Sequence, residues 1–340
     1  MAIQIDDAFQ EFLKKYVAVD PVQLASAYHS QELVHFEVFA MLRGEAQLPR
    51  LTKQWLSSGA LARGTLSPPL DVVELLLVLA YDPRQLQTAA AKPPQVLLRP
   101  GFGEDFSLDA LRPLRDADGN ISSALLMRAY SEALNRAAGH PVATANPGRT
   151  AIALTLPDFP WRFDLIPAVR YKDRDGALAY FLAPDGQAHW RQVNPVLEQK
   201  SLADVDAQTE GHFLPLVRML HYWNRTTEHI PRLRPFHLEA MLMQGFRTAR
   251  TFSQPRAMLP AAFEFLAQLV TEPIADPKGL EGRLDGYLLH YEQVALRDKA
   301  RQMAKYARQA LENERVENQQ TAFSQWRYIF RDFPLYGSVR

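Results

Sequence analysis

Residues 58–79 read SGALARGTLSPPLDVVELLLVL, and the residue types in this run could do chemistry on a phosphate. A turn at Gly59 leads into a short helical segment that reaches Arg63 and Thr65. Backbone N–H groups at such a turn suit an anion. Arg63 can either hold a phosphate or lie on the surface. Asp71 stands at the head of an apolar run, where it can cap a strand or belong to a site. A second acidic segment, WRFDLIPAV, carries Asp164 between Phe163 and Leu165. An acid among apolar strand residues needs a compensating role, so Asp164 is read as a site residue.

The elements that must position these groups follow from periodicity. Residues 5–16 place Ile5, Phe9, Phe12 and Tyr16 at helical spacing. Asp20 followed by Pro21 reads as an N-cap with proline at the first helical position, opening a helix that runs to about Arg43. The run 72–79 is continuously apolar apart from Glu74, which suits a strand buried on both faces. Residues 84–103 are rich in Ala, Pro and Gly and read as an exposed loop. Helices are expected over 107–115 and 121–138. Three strand-like runs follow at 150–156, 162–169 and 177–182, with turn signals at Asp175-Gly176 and Asp185-Gly186. From about Ser201 the pattern is helical, with helices expected over 212–223, 235–244, 260–269 and 282–313. Trp190, Trp223 and Trp326 read as core anchors, while Tyr180 and Phe181 could stack a base or fill the core.

Composition bounds the partners. The 340 residues carry 38 Lys+Arg against 38 Asp+Glu, so any site for a polyanion has to be local. The absence of cysteine excludes disulfides and thiolate metal sites. The N-terminal segment lacks the form of a signal peptide, and no apolar run reaches the length of a membrane helix. The expectation is a cytoplasmic protein without a membrane partner.

Several further segments keep a fixed order along the chain: HWRQVNP at 189–195, HFLPLVRMLHYWNRT at 212–226, LRPFHLEAML at 233–242, DPKGLEGRLDGYL at 276–288 and WRYIFRDFPLYG at 326–337. Together with the Gly59 turn and the two acidic strands, this set resembles the CD-NTase family, the nucleotidyltransferases of bacterial anti-phage signalling that make cyclic oligonucleotides. The resemblance covers nearly the whole chain. It implies an α/β fold: a polymerase-beta-like nucleotidyltransferase core sheet, a helical second lobe, and N-terminal helices packing across both. The corresponding division is 1–46, 47–200 and 201–340, with a core of about five strands and a cleft between the lobes.

The resemblance also assigns roles. Such enzymes use two divalent cations held by a DxD pair and a third strand carboxylate, with a Gly-Ser turn on the triphosphate. Here Asp71 and Asp164 take the first and third carboxylate positions as remnant catalytic and metal-binding residues, and Val73 replaces the second. Glu74, one residue on, is expected to point to the opposite face by strand alternation. Gly59, Ala60, Arg63, Thr65, His221 and Pro235 occupy the nucleotide-binding positions. Ala60 and Pro235 stand where the family has serine, and His221 where it has lysine. These departures collect where the family touches metal or triphosphate. The expectation is a catalytically degenerate member that binds a nucleotide, an oligonucleotide or a protein partner from a defence system. The alternative is an active synthase of a cyclic or linear nucleotide messenger using Mg²⁺ or Mn²⁺; a third reading is a structural subunit with an empty cleft.

Overall fold

A computed structural model of the chain describes residues 4–80, 86–90, 95–100, 111–172, 178–247, 254–280 and 282–337. The chain opens with α1 (Ile5–Phe12), whose apolar face of Ile5, Phe9 and Phe12 is buried. A π-helical turn over Leu13–Val17 follows. Asp20 then starts α2 (Pro21–Leu42): its carboxylate accepts from the N–H groups of Val22 and Gln23 at 2.9 and 3.1 Å, with proline at the first helical position. This satisfies two of the four orphan donors of the helix start.

The middle of the chain is β1 (Leu51–Ser58), α3 (Gly59–Ala62), β2 (Val72–Leu79), β3 (Leu86–Ala90), β4 (Gln95–Pro100), α4 (Ser123–Ala138), β5 (Ala143–Thr144), β6 (Ile152–Leu154), β7 (Arg162–Lys172), β8 (Leu178–Pro184) and β9 (Trp190–Val193). They form one sheet in the order β1-β2-β7-β8-β9-β4-β3, with β6 also on β7 and β5 on β6. The β2–β7 pair is parallel and its neighbours are antiparallel. Among the described residues the sheet therefore has nine strands, against about five expected. Part of the difference lies in 84–103, where β3 and β4 replace the expected loop and its remainder falls outside the described residues. The 107–115 helix is half outside them too, and 111–114 form a 3₁₀ turn. The Asp175-Gly176 turn also lies outside.

The second half is helical: α5 (Pro195–Gln208), α6 (Phe213–Thr226), α7 (Pro235–Phe246), α8 (Leu259–Leu269), α9 (His290–Arg315) and α10 (Gln319–Ile329). The helix expected from 282 begins only at His290, because the preceding segment is tied back through Asp285, which accepts from the Ile274 N–H at 3.0 Å.

Three apolar clusters organise the packing. One face of the sheet buries Val73, Leu75, Phe163 and Leu165 against α2 and α4 residues such as Val34, Val38, Leu126 and Leu134. The other face carries a small cluster of Leu76, Val78, Ile166, Ala168 and Phe181. The largest cluster is helical and includes Phe9 and Phe12 of α1 with Trp223, Phe263 and Trp326. The N-terminal helices thus pack across both regions, α1 on the helical core and α2 on the sheet. The three tryptophans are core anchors, as expected, and the Trp190 indole N–H donates to the Ile121 carbonyl at 2.8 Å. Phe181 is core; Tyr180 stacks flat on Tyr171, with ring centroids 4.6 Å apart.

Candidate functional site

Strand register decides which acids meet. β2 and β7 pair with Val72 opposite Arg162, Val73 opposite Phe163 and Glu74 opposite Asp164. Directly paired residues point to the same side of a sheet. Glu74 and Asp164 therefore share the face that continues into Leu76 and Ile166, while Val73 and Phe163, both fully buried, belong to the opposite core. This corrects the sequence expectation in two respects. Glu74 does not point away from Asp164, and Val73 is a core residue. Asp71 lies before the strand and is exposed; its carbonyl accepts from the Arg162 N–H at 2.9 Å. A strand beginning at Val72 places Val72 and Glu74 as the same-face pair.

The Glu74 carboxylate lies on the Gly59 turn. A Cβ built on Gly59 would stand 2.5 Å from it, so the carboxylate would have to move aside, and Gly59 has φ +69°, a conformation that favours glycine. Burial raises the Glu74 pKa, opposed by the charge of Arg63 and reinforced by Asp164 and Glu198. Asp164 is held by Arg162, two residues earlier on the same face: Nε and Nη2 donate to its two oxygens at 2.7 and 3.1 Å. These hydrogen bonds, more than any other influence, raise the Arg162 pKa.

The remaining candidates go elsewhere. Arg63 lies behind the turn with its side chain 8% exposed, donating from Nε to Glu239 at 2.7 Å and from Nη1 to Glu198 at 3.1 Å. The Thr65 hydroxyl donates to Glu239 at 2.7 Å, and His221 Nε2 lies 3.0 Å from the same carboxylate. Lys278 completes the cluster, 3.0 Å from both Glu198 and Asp276. Burial alone would raise the Glu239 pKa, but Arg63, His221 and Thr65 outweigh it and hold the carboxyl down at about 2. Arg63 is held charged by Glu239 and Glu198 against the opposing effect of burial. Arg63, Thr65 and His221 are therefore brought together, but as a buried interlobe network. Ala60 accepts the Thr65 N–H through its carbonyl at 3.0 Å, and Pro235 is the exposed first residue of α7.

The motif segments have local explanations. Asn194 of HWRQVNP caps α5, accepting from the Leu197 N–H at 3.1 Å, with Pro195 at the first helical position. Asn224 of the α6 motif clasps Leu233, donating to its carbonyl at 2.8 Å and accepting its N–H at 3.0 Å. Glu239 of LRPFHLEAML is the hub of the buried network. Sequence reasoning missed Glu198, Glu239 and Lys278, which have no local spacing, and Arg162, whose i, i+2 position beside Asp164 was a usable signal.

A two-cation centre needs carboxylates converging with free coordination positions. The described residues hold no group of three or more acidic, His or Cys side chains able to bind a metal. Glu74 and Asp164 are two, and Asp164 is bidentately engaged by a guanidinium. The donor set does not fit a two-cation centre.

No family model matches the chain. A protein described as a probable cyclic nucleotide synthase from Bacillus cereus strain VD146 is 24% identical over 332 residues, spanning 97% of each chain. Among solved structures, Escherichia coli MS115-1 CdnC with ATP superposes with a TM-score of 0.69 at 15% identity, over 96% of this chain and 98% of that one. The CdnC:HORMA-deltaN complex gives 0.68 at 14% identity, with 96% of each chain covered. Vibrio cholerae DncV in its apo form gives 0.56 at 13% identity, over 82% of this chain and 68% of that one. With a relative matched along nearly its whole length and these structural neighbours, the chain has a nucleotidyltransferase fold similar to that of the CD-NTases CdnC and DncV.

Proposed function

We propose that this protein is a catalytically degenerate CD-NTase of bacterial anti-phage defence that binds a nucleotide or oligonucleotide without efficiently polymerising it, working in the cytoplasm. The observation that carries this reading is the convergence of Arg63, Thr65 and His221 on Glu239. These groups stand at positions that would otherwise grip a triphosphate, and here their charge and hydrogen-bonding capacity are spent inside the protein. The fold neighbour CdnC was solved with ATP and with HORMA-deltaN; a nucleotide ligand and a protein partner are the corresponding candidates for this chain. No helix among the described residues is long and apolar enough to cross a membrane.

The test is product formation from the four common ribonucleoside triphosphates, radiolabelled and resolved by chromatography, with Mg²⁺ or Mn²⁺. The expected result is weak calorimetric binding of the triphosphates and no oligonucleotide product. A product abolished by Asp164→Asn or Glu74→Gln establishes the second reading, an active synthase. That reading is favoured by the Glu74–Asp164 register, which puts Glu74, rather than the expected Asp71, beside Asp164.

A further inference from the structure

The donor set that fails as a two-cation centre has a cation of its own. Arg162 and Asp164 lie two residues apart on β7, so strand geometry puts them on one face. The pair is only partly buried, with side chains 35% and 18% exposed. The guanidinium grips Asp164 with two of its five N–H groups. Opposite the pair in the parallel register stand Val72 and Glu74. The positive charge of Arg162 is supported by Asp71 and Glu74 as well as by Asp164. Val72 is the apolar member of the row. It supplies no third carboxylate, and it leaves the guanidinium without an acid directly across the strand.

We propose that Arg162 is a built-in replacement for a divalent cation at the Glu74–Asp164 pair, so that this centre is neutralised by the protein's own side chain. Two carboxylates brought together in a half-buried site repel each other unless a positive charge stands between them. A metal ion and a guanidinium solve the same electrostatic problem, but they differ in consequence. The metal exchanges with solvent and requires open coordination positions. The guanidinium is permanent, planar and always charged. Its N–H groups not directed at Asp164 remain able to take a phosphate oxygen, for which bidentate geometry is well suited. Nucleotide binding at this centre, which rests on the function proposed above, then proceeds without a divalent cation.

The experiment reads the metal directly and needs no nucleotide. Mn²⁺ binding is followed by electron paramagnetic resonance on the full chain as wild type, Arg162→Gln, Arg162→Lys and Arg162→Gln/Asp164→Asn. Arg162→Gln should gain a Mn²⁺ site at least about tenfold tighter than any in wild type, the ratio that one unit on the decimal affinity scale represents. Arg162→Lys, which keeps the charge, should gain none, and the double variant should lose the gain. Wild-type protein that binds Mn²⁺ as tightly as Arg162→Gln overturns the proposal, as does a folded Arg162→Gln variant with no gain. Should Arg162→Gln fail to fold, wild type against Glu74→Gln decides alone: a wild-type Mn²⁺ site lost in Glu74→Gln overturns the proposal, and its absence from both supports it. ATP titrated in EDTA is a separate arm. Absence of ATP binding counts against the nucleotide-binding function and leaves the Mn²⁺ result to judge Arg162.

Discussion

Two polar clusters lie on either side of the turn that runs from Gly59 to Thr65, and they use the same residue types to opposite ends. On the sheet side Glu74, Asp164 and Arg162 are partly exposed, and one guanidinium faces more than one acid. On the helical side Arg63, Glu239, Glu198, His221, Lys278 and Thr65 are buried and joined in a connected set of hydrogen bonds and ion pairs. Burial decides their roles. A buried charge that loses its partner bears its whole desolvation cost. An exposed pair is screened and contributes little. The helical cluster is therefore where stability is concentrated, and the sheet cluster is the more accessible of the two.

The largest effect expected concerns the boundary of the sheet cluster. Val73→Asp would put a carboxylate into the fully buried core beside Phe163 and Leu165. An unpaired buried charge costs several kcal/mol at least, so this variant should fail to fold or melt far below wild type. Val72→Asp, one residue away on the half-exposed face with Glu74, should fold and melt within a few degrees of wild type. Equal tolerance of the two would show that the register is wrong.

A second measurement sets the clusters against each other. Glu239→Gln leaves Arg63 buried without its main partner, and breaking a buried pair costs about 3–5 kcal/mol. Asp164→Asn breaks a pair of which the arginine is one-third exposed, and should cost no more than about 1 kcal/mol. Denaturant unfolding of both variants checks the ordering. Comparable losses would mean that the sheet cluster is structural as well.

The pH profile sharpens the same contrast. Burial lowers the His237 pKa from its ordinary 6.5 to about 4. The unfolded chain takes up a proton there that the native state refuses, so stability declines as pH falls from 6.5 towards 4. Glu239 follows. Its folded value of about 2 lies below the ordinary 4.5, so its contribution is fully present above 4.5 and is lost as pH falls towards 2. That second loss amounts to about 3 kcal/mol. Chemical denaturation from pH 7 to pH 3 should show both declines. His237→Gln should remove the upper one and leave the lower.

How much of this was legible in the sequence depends on the range over which the information acts. Local chemistry was readable: Asp20-Pro21, Asn194-Pro195 and the order of the motif segments gave helix starts and the family fold. Register was not. Asp71 and Glu74 differ only in where β2 begins, and a shift of one residue exchanges the two faces of a strand. Arg63 and Glu239 are 176 positions apart, and no spacing rule connects them. Arg63, Thr65 and His221 could be picked out as polar groups near a turn, but whether they faced a ligand or a buried glutamate is set by the packing of the helical lobe. β3 and β4 were missed because they are short, five and six residues, and lie in a stretch whose Ala, Pro and Gly residues read as a loop.

Gly59 lies against the Glu74 carboxylate at the start of α3, and a substitution there gives the smallest expected effect. Gly139, at the end of α4, has nearly the same φ, +72° against +69°, with no atom within 4 Å of where a Cβ would stand. Gly139→Ala therefore measures the backbone cost alone, about 1–2 kcal/mol for a left-handed residue. Gly59→Ala adds a collision with the Glu74 carboxylate at 2.5 Å. The excess of the Gly59 variant over the Gly139 variant is then the cost of moving Glu74. Truncating Glu74 should abolish that excess, so Gly59→Ala/Glu74→Ala should be no less stable than the sum of Gly139→Ala and Glu74→Ala. Equal costs for the two glycines would mean that the Glu74 carboxylate does not rest on the turn, and would separate the sheet cluster from the Gly59 segment.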